Sequence, residues 1–205
     1  MKKFIYLAVA ALAVTCMASC SADNEEEIRS TEEISMDFLL NYSNKSEGIS
    51  WNVFREKAVG SAWRNYREYT IDKASGKASE KDILGRDGFS DDCVMGHAPK
   101  HMYIGADNLY FIAPGELSEK LNIGSGSKYT YNEGNNTLVW PTMMGSKPFS
   151  VTNCIIESLD DNTLTTMQCV GIQDEGLAYR RIVYVKMTDE EFIEMSATNG
   201  FEMPR

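Results

Sequence analysis

Apolar residues recur at helical spacing near both ends of the chain. Ile34 and Phe38 share one face of a predicted N-terminal helix. Ser50 is a candidate N-cap for a second helix, and Gly60 is placed to end it. Thr188, followed three residues later by a glutamate, has the capping-box pattern of a short C-terminal helix. The sequence therefore predicts one or two short helices before the main body of the chain and one after it.

Between these helices the pattern of apolar and polar positions changes to period two. The runs are short and are separated by turn residues, as in Glu133-Gly134-Asn135-Asn136. Without long intervening helices, this pattern predicts a mainly β fold, an antiparallel up-and-down meander that closes into a barrel of about eight strands. The predicted strands begin at Ser61 and continue at 102–104, 109–112, 129–132, 137–140, 149–159, 163–172 and 178–186.

The first twenty residues combine a basic start, an apolar stretch and a small-residue cleavage site that ends on Cys20. They resemble the signal peptide and lipobox of bacterial lipoproteins, with Cys16 as a second candidate cysteine. The resemblance implies cleavage after residue 19, acylation of Cys20 and attachment to a lipid bilayer without a membrane-spanning segment. The acidic residues 20–30 are predicted to be a flexible, solvated tether, and they also resemble the surface-export signal of some Gram-negative lipoproteins. We therefore expect an outer-membrane, lipid-anchored protein that can be exposed at the cell surface.

The net charge excludes one class of partner. It is −10 for the whole chain, and removal of the two lysines in the signal peptide makes it −12. No block of basic residues is present to neutralise phosphates, so nucleic acid is not an expected partner. The length suits one domain, which we divide into a helical segment, 31–60, and a barrel with its C-terminal helix, 61–205.

The order and spacing of several motifs between residues 60 and 187 resemble the lipocalin-like domains of bacterial lipoproteins. The motifs are Gly60-Ser61-Ala62-Trp63-Arg64, the Tyr129-Thr130-Tyr131 hairpin, the hairpin around Asp160-Asp161-Asn162, and the Tyr179-Arg180-Arg181 strand. Secreted lipocalins have Gly-x-Trp in the first strand, whereas two residues separate Gly60 and Trp63 here. The resemblance implies a β-barrel that holds a small apolar molecule.

Aromatic and thioether side chains are suited to line such a barrel. An alternative remains open, because the same residues are ordinary material for a filled core. The candidate interior residues are Trp63, Tyr103, Phe111, Tyr131, Trp140, Met167 and Tyr184.

Three cysteines remain after Cys20, so at most one disulfide can form within the chain. If a short turn sets Leu159 opposite Leu164, Cys154 lies opposite Cys169 and Ile156 opposite Met167. The sequence leaves two alternatives open, a Cys154–Cys169 disulfide or two small buried apolar side chains.

Catalytic and metal-binding patterns are weak. The two histidines, His97 and His101, have no nucleophile elbow near them in the sequence, so we expect no enzyme and no cofactor. Cys93, His97 and His101 have the side-chain types of a zinc or copper site, but Pro99 disfavours the helix that would bring the two imidazoles together. Our expectation is no metal, with these three residues as weak candidates.

Two hypotheses lead for the function, ahead of a weaker third, a metal-dependent enzyme that uses His97 and His101. The first is an envelope-anchored lipoprotein whose barrel binds a small apolar ligand without catalysis. The second is an assembly module with a filled barrel core, which docks on an envelope protein complex through the segment 28–60.

Overall fold

The computed structural model describes residues 31–45, 48–83, 101–112, 126–144, 147–172 and 176–199. The predicted signal peptide 1–19 and tether 20–30, with Cys20, lie outside the described residues. The helices are α1 (Thr31–Tyr42), α2 (Trp51–Lys57) and α3 (Asp189–Asn199). The strands are β1 (Ser61–Ile71), β2 (Ala78–Asp82), β3 (His101–Ile104), β4 (Asn108–Ile112), β5 (Ser127–Lys128), β6 (Thr130–Asn132), β7 (Thr137–Met144), β8 (Lys147–Leu159), β9 (Thr163–Ile172) and β10 (Gly176–Lys186).

The strands form one antiparallel sheet that returns to its own beginning. β3 and β10 flank β1, and from β10 the sheet continues through β9, β8 and β7 to β6. At the other end β5 pairs with β4, and Tyr129 alone separates β5 from β6, so one interrupted strand joins both ends. β2 pairs only with β1 and lies outside this order. With β5 and β6 counted as one interrupted strand, the described strands occupy eight positions around a nearly closed barrel. The predicted antiparallel up-and-down barrel with short flanking helices is confirmed.

The local signals for the helix ends act as the sequence predicts. Ser50 Oγ accepts a hydrogen bond from the backbone N–H of Val53 at 3.3 Å and so caps α2. Gly60 has φ 79°, a left-handed conformation that lets the chain turn from α2 into β1. Thr188 and Glu191 form a reciprocal capping box at the start of α3, with bonds of 2.9 and 3.2 Å.

One apolar cluster lies inside the barrel, because strands from all round the ring contribute to it. Its members include Trp63 of β1, Met102 of β3, Leu109 of β4, Trp140 of β7 and Tyr184 of β10. Side chains from such widely separated strands meet only on the concave face of the sheet. We call this group the inner cluster.

Two helices cover the outside of the barrel. α1 packs on β8 and β9, and its Phe38 stacks on Tyr179 of the neighbouring β10 with the ring centroids 3.8 Å apart. α3 packs through Phe192, whose ring stacks on Tyr103 at 5.3 Å. None of the described helices is long and apolar enough to cross a membrane.

A β-bulge in β1 changes which of its residues point inward. Asn65 pairs with Tyr184, whereas Arg67 pairs with Val183, so one extra residue lies between Asn65 and Arg67. Side chains of a regular strand alternate between faces, and an extra residue shifts that alternation by one. As a result Asn65 and Glu68, three positions apart, face the interior together.

A second bulge corrects the predicted register of the β8–β9 hairpin. Leu159 lies opposite Leu164, as predicted. A bulge one residue after Ile156 then shifts the pairing, and Ile156 lies opposite Thr166 rather than Met167. Each residue beyond the bulge therefore pairs with the neighbour of its expected partner. The side chain of that neighbour points to the other face of the sheet.

The same shift separates the two cysteines. Cys154 lies opposite Gln168, and Cys169 pairs with Tyr179 on β10. Cys154 belongs to the inner cluster, whereas Cys169 lies under α1 on the outer face. Both are buried free thiols, so of the two alternatives that the sequence left open, the buried apolar side chains describe them and the disulfide is not formed in this structure. Burial raises the pKa of the Cys154 thiol, which keeps it protonated and unreactive.

Candidate binding site inside the barrel

The end of the barrel interior next to α2 is filled with aromatic side chains. Trp63 is fully buried, and its indole Nε1 donates to the carbonyl of Ala58 at 3.4 Å. Phe54 reaches in from α2 and stacks on Tyr131 with ring centroids 4.3 Å apart and nearly parallel planes. The ammonium group of Lys186 lies 5.7 Å from the centroid of the Trp63 ring. Side chains therefore close this end of the barrel.

Further along β1, the interior becomes polar. Asn65, Glu68 and Arg180 are all buried. Asn65 Nδ2 donates to Glu68 Oε2 at 3.1 Å, and Arg180 Nε lies 3.6 Å from Glu68 Oε1. The bulge in β1 and the pairing of Thr70 with Arg180 bring these three side chains together. We call Glu68 and Arg180 the inner ion pair.

A second polar group borders the inner ion pair and is internally hydrogen-bonded. Gln168 Nε2 donates to the hydroxyl of Tyr184 and to Thr166 Oγ1, both at 3.0 Å. Burial raises the pKa of Tyr184, so the phenol stays neutral. This group adds polarity to the interior without adding charge.

His101 of β3 bonds the backbone of β1 at Asn65, from the face of the sheet that carries Tyr103. Its Nδ1 accepts a hydrogen bond from the backbone N–H of Asn65 at 3.1 Å. Burial, with a smaller contribution from the positive charge of Arg64, lowers the pKa of His101 to about 4. The imidazole is therefore neutral at physiological pH.

The weak metal candidates do not form a site within the described part of the chain. Cys93 and His97 lie outside the described residues. Within the described ranges, no three His, Cys, Asp or Glu side chains are grouped to hold a metal ion. The Nδ1 atom of His101 is already an acceptor for a backbone N–H.

Four of the predicted interior residues lie at the inner cluster. Trp63, Trp140 and Tyr184 belong to it, and Tyr131 is half-buried against it. Period-two alternation explains this result, because Trp63 and Tyr184 occupy inward positions on paired strands.

Two others face outward, and their predicted interior positions are wrong. Tyr103 packs against Phe192 of α3, because Met102 takes the inward position opposite Trp63. Met167 lies under α1, because the bulge in β8 places it opposite the outward-facing residue 155. For Phe111 the structure describes only the backbone, which pairs with Met102.

The sequence did not predict Asn65, Glu68 or Arg180 as site residues. One of them had a usable signal, since Arg180 lies two residues before Ile182 and four before Tyr184, on the same predicted face. A charged residue in register with two buried apolar ones indicates an interior charge that needs a partner. Asn65 and Glu68 could not be paired by alternation, because the bulge lies between them.

Comparison with known proteins adds a likeness of fold. No protein-family model and no curated protein sequence matches this chain. Among solved structures, a mutant of LTBP1 in complex with leukotriene C4 matches 80% of this chain and 90% of its own, with 11% sequence identity and a TM-score of 0.41. Bovine odorant-binding protein in complex with a selenium-containing odorant matches 88% of this chain and 90% of its own, with 11% identity and a TM-score of 0.36.

A third similar structure is apocrustacyanin C2, which matches 79% of this chain and 87% of its own, with 9% identity and a TM-score of 0.32. These neighbours are lipocalin-family proteins with a barrel. The assignment of the barrel in this chain rests on its own strand order and register, and the ligands of the neighbours are not transferred to it.

Proposed function

We propose that this protein is a lipid-anchored envelope protein whose barrel binds a small, largely apolar molecule without catalysing a reaction. The observation that carries the proposal is the nearly closed barrel with an interior lined by aromatic, thioether and aliphatic side chains, among them Trp63, Met102 and Trp140. Such a lining buries an apolar molecule from water, with a stabilisation of about 25 cal/mol per Å² of apolar surface. The few interior polar groups described above provide orientation.

Two variants test binding to the interior. They remove the same atoms from neighbouring residues whose side chains point to opposite faces of the sheet. Ile155 and Ile156 are neighbours and equally buried, but Ile155 packs with Leu39 of α1 on the outer face, whereas Ile156 belongs to the inner cluster. We expect the purified protein to bind the fluorescent probe N-phenyl-1-naphthylamine at one saturable site. Ile156→Ala enlarges the interior, and we expect it to change the affinity for the probe several-fold.

Ile155→Ala is the matched control, because it removes the same atoms on the opposite face. Its affinity for the probe should equal that of the unmodified protein. The proposal fails if the unmodified protein shows no saturable binding, or if both variants change the affinity to the same extent.

The lipid anchor is supported by the sequence of the first twenty residues. In cells supplied with radiolabelled palmitate, we expect the label on the protein and on Cys16→Ser, and no label on Cys20→Ser. Label on Cys20→Ser would contradict acylation at Cys20.

A second function, docking on an envelope protein complex, is supported by the surface of the N-terminal segment. Among the described residues, the exposed large apolar side chains are Ile34, Tyr42, Trp51, Val53 and Ile193, and all but the last lie in the segment 31–60. A photo-crosslinking residue at position 51 tests this function in intact cells, with position 193 as the exposed control. Docking through this segment predicts adducts from position 51 only.

A further inference from the structure

Two polar atoms inside the barrel lack hydrogen-bond partners, and both belong to side chains that lie next to the carboxylate of Glu68. Within the described residues, Asn65 Oδ1 and Arg180 Nε are buried side-chain atoms without a partner. The side chain of Asn65 bonds Glu68 through its Nδ2, and the Nε of Arg180 lies 3.6 Å from that carboxylate, beyond hydrogen-bond length. Native proteins rarely leave such groups unsatisfied, since each costs about 1–3 kcal/mol.

The orientation of the Asn65 amide is determined by its neighbour. The carboxylate of Glu68 can only accept hydrogen bonds, so the amide must present its NH₂ group to Glu68. The oxygen Oδ1 is then left as an acceptor. Arg180 Nε, in contrast, can only donate. A group that satisfies both atoms must therefore donate one hydrogen bond and accept another.

The charges around these two atoms already balance. Arg180 and Glu68 carry opposite charges, His101 is neutral, and the adjoining Gln168 and Tyr184 are uncharged. A second anion would lie against the carboxylate of Glu68, and like charges at such short range repel strongly in a buried site. A neutral polar group avoids this repulsion.

We propose that the ligand is an amphiphile with a neutral polar group, such as an alcohol, which donates to Asn65 Oδ1 and accepts from Arg180 Nε while its apolar body lies against the inner cluster. This inference rests on the proposed function and specifies the chemical class of the ligand. The two unsatisfied atoms select against fatty acids in their ionised form, because a carboxylate cannot donate to Asn65 and faces Glu68.

Three probes with the same chain length separate these possibilities. We measure the affinities of the purified protein for decanol, methyl decanoate and decanoate by isothermal titration calorimetry at neutral pH. Decanol donates and accepts, the methyl ester only accepts, and decanoate accepts and carries a negative charge. We expect decanol to bind about tenfold tighter than the methyl ester, the effect of one hydrogen bond of ordinary strength, and decanoate to bind most weakly.

A matched pair of variants links this selectivity to Asn65. Asn65→Leu removes the acceptor, so the affinity for decanol should fall about tenfold while that for methyl decanoate stays unchanged. The control is Asn153→Leu, because Asn153 is also a buried asparagine but bonds Ser35 of α1 at 2.6 Å on the outer face. It should retain the preference for decanol.

The outcomes distinguish this inference from the proposed function. Equal affinities for the three probes, or tightest binding of decanoate, would overturn the neutral-ligand inference and leave binding of apolar molecules in place. Equal weakening of decanol and methyl decanoate by Asn65→Leu would also overturn it. If none of the probes binds, both the inference and the proposed function fail.

Discussion

Two consecutive arginines of β10 point to opposite faces of the sheet. Each pairs with a glutamate, and the two pairs differ in how completely their hydrogen bonds are formed. On the outer face, Arg181 donates from Nε and Nη2 to both oxygens of Glu157, at 2.6 and 2.9 Å. The backbone N–H of Asn44 adds a third bond to Glu157 at 2.7 Å. On the inner face, the inner ion pair of Arg180 and Glu68 is separated by 3.6 Å.

The difference indicates different roles for the two pairs. The outer pair of Glu157 and Arg181, with its bidentate geometry and a bond from the chain after α1, holds the N-terminal segment on the barrel. The inner pair keeps hydrogen-bonding capacity that its own neighbours do not use. The fully bonded outer pair contributes to the architecture, whereas the incompletely bonded inner pair lies where we propose that a ligand binds.

The largest effect is expected from breaking the outer pair. Arg181→Met leaves the carboxylate of Glu157 buried without a compensating charge, and we expect the free energy of unfolding to fall by about 3–5 kcal/mol. Urea unfolding measures it. Arg181→Lys keeps the charge but loses the bidentate geometry, so its loss should be intermediate. A loss below about 1 kcal/mol for Arg181→Met would contradict the architectural role.

An intermediate effect is expected from the buried, neutral imidazole of His101. The pKa of His101 is about 4 in the folded protein and 6.5 in an unfolded chain, so the unfolded state binds a proton first as the pH falls. Stability is therefore lost between these two values, at up to about 1.4 kcal/mol per pH unit. His101→Gln should lack this part of the pH dependence.

The measurement compares the free energy of unfolding of the unmodified protein and His101→Gln at several pH values across that window. Carboxylates titrate in both proteins, so the difference between the two curves isolates His101. Parallel curves would show that His101 is not held neutral in the interior.

The smallest effect on stability is expected when both members of the inner pair are replaced. In the double variant Glu68→Gln with Arg180→Met no unpaired charge remains, so the free energy of unfolding should change by no more than about 1 kcal/mol. The affinities for decanol and methyl decanoate should both fall, because both probes accept from Arg180 Nε. The corresponding outer variant, Glu157→Gln with Arg181→Met, should retain both affinities, and a fall there would weaken the division of roles.

Much of the fold was predictable because its signals are local. Ser50 and Gly60 delimit α2, and Thr188 starts the capping box of α3, through groups only a few residues apart. The hairpin between Leu159 and Leu164 has the predicted register at its turn. β2, with the sequence ASEKD, was missed because it has no apolar alternation and pairs only along one edge of β1.

The candidate site was predictable only in its apolar half. Trp63, Trp140 and Tyr184 were found because large aromatic residues at inward positions of paired strands are visible in the pattern. Met167 was misplaced because a bulge near Ile156 changes the register and leaves no distinct mark in the sequence.

The sequence by itself determined the antiparallel strands, their hairpins and the helix ends, because hydrogen bonds between residues close in the chain set them. Only the tertiary structure decided that Asn65, Glu68 and Arg180 meet inside the barrel while Arg181 meets Glu157 outside. The physical reason is that β1 and β10 pair across more than a hundred residues, and the bulge in β1 that sets which residues face inward belongs to this long-range pairing.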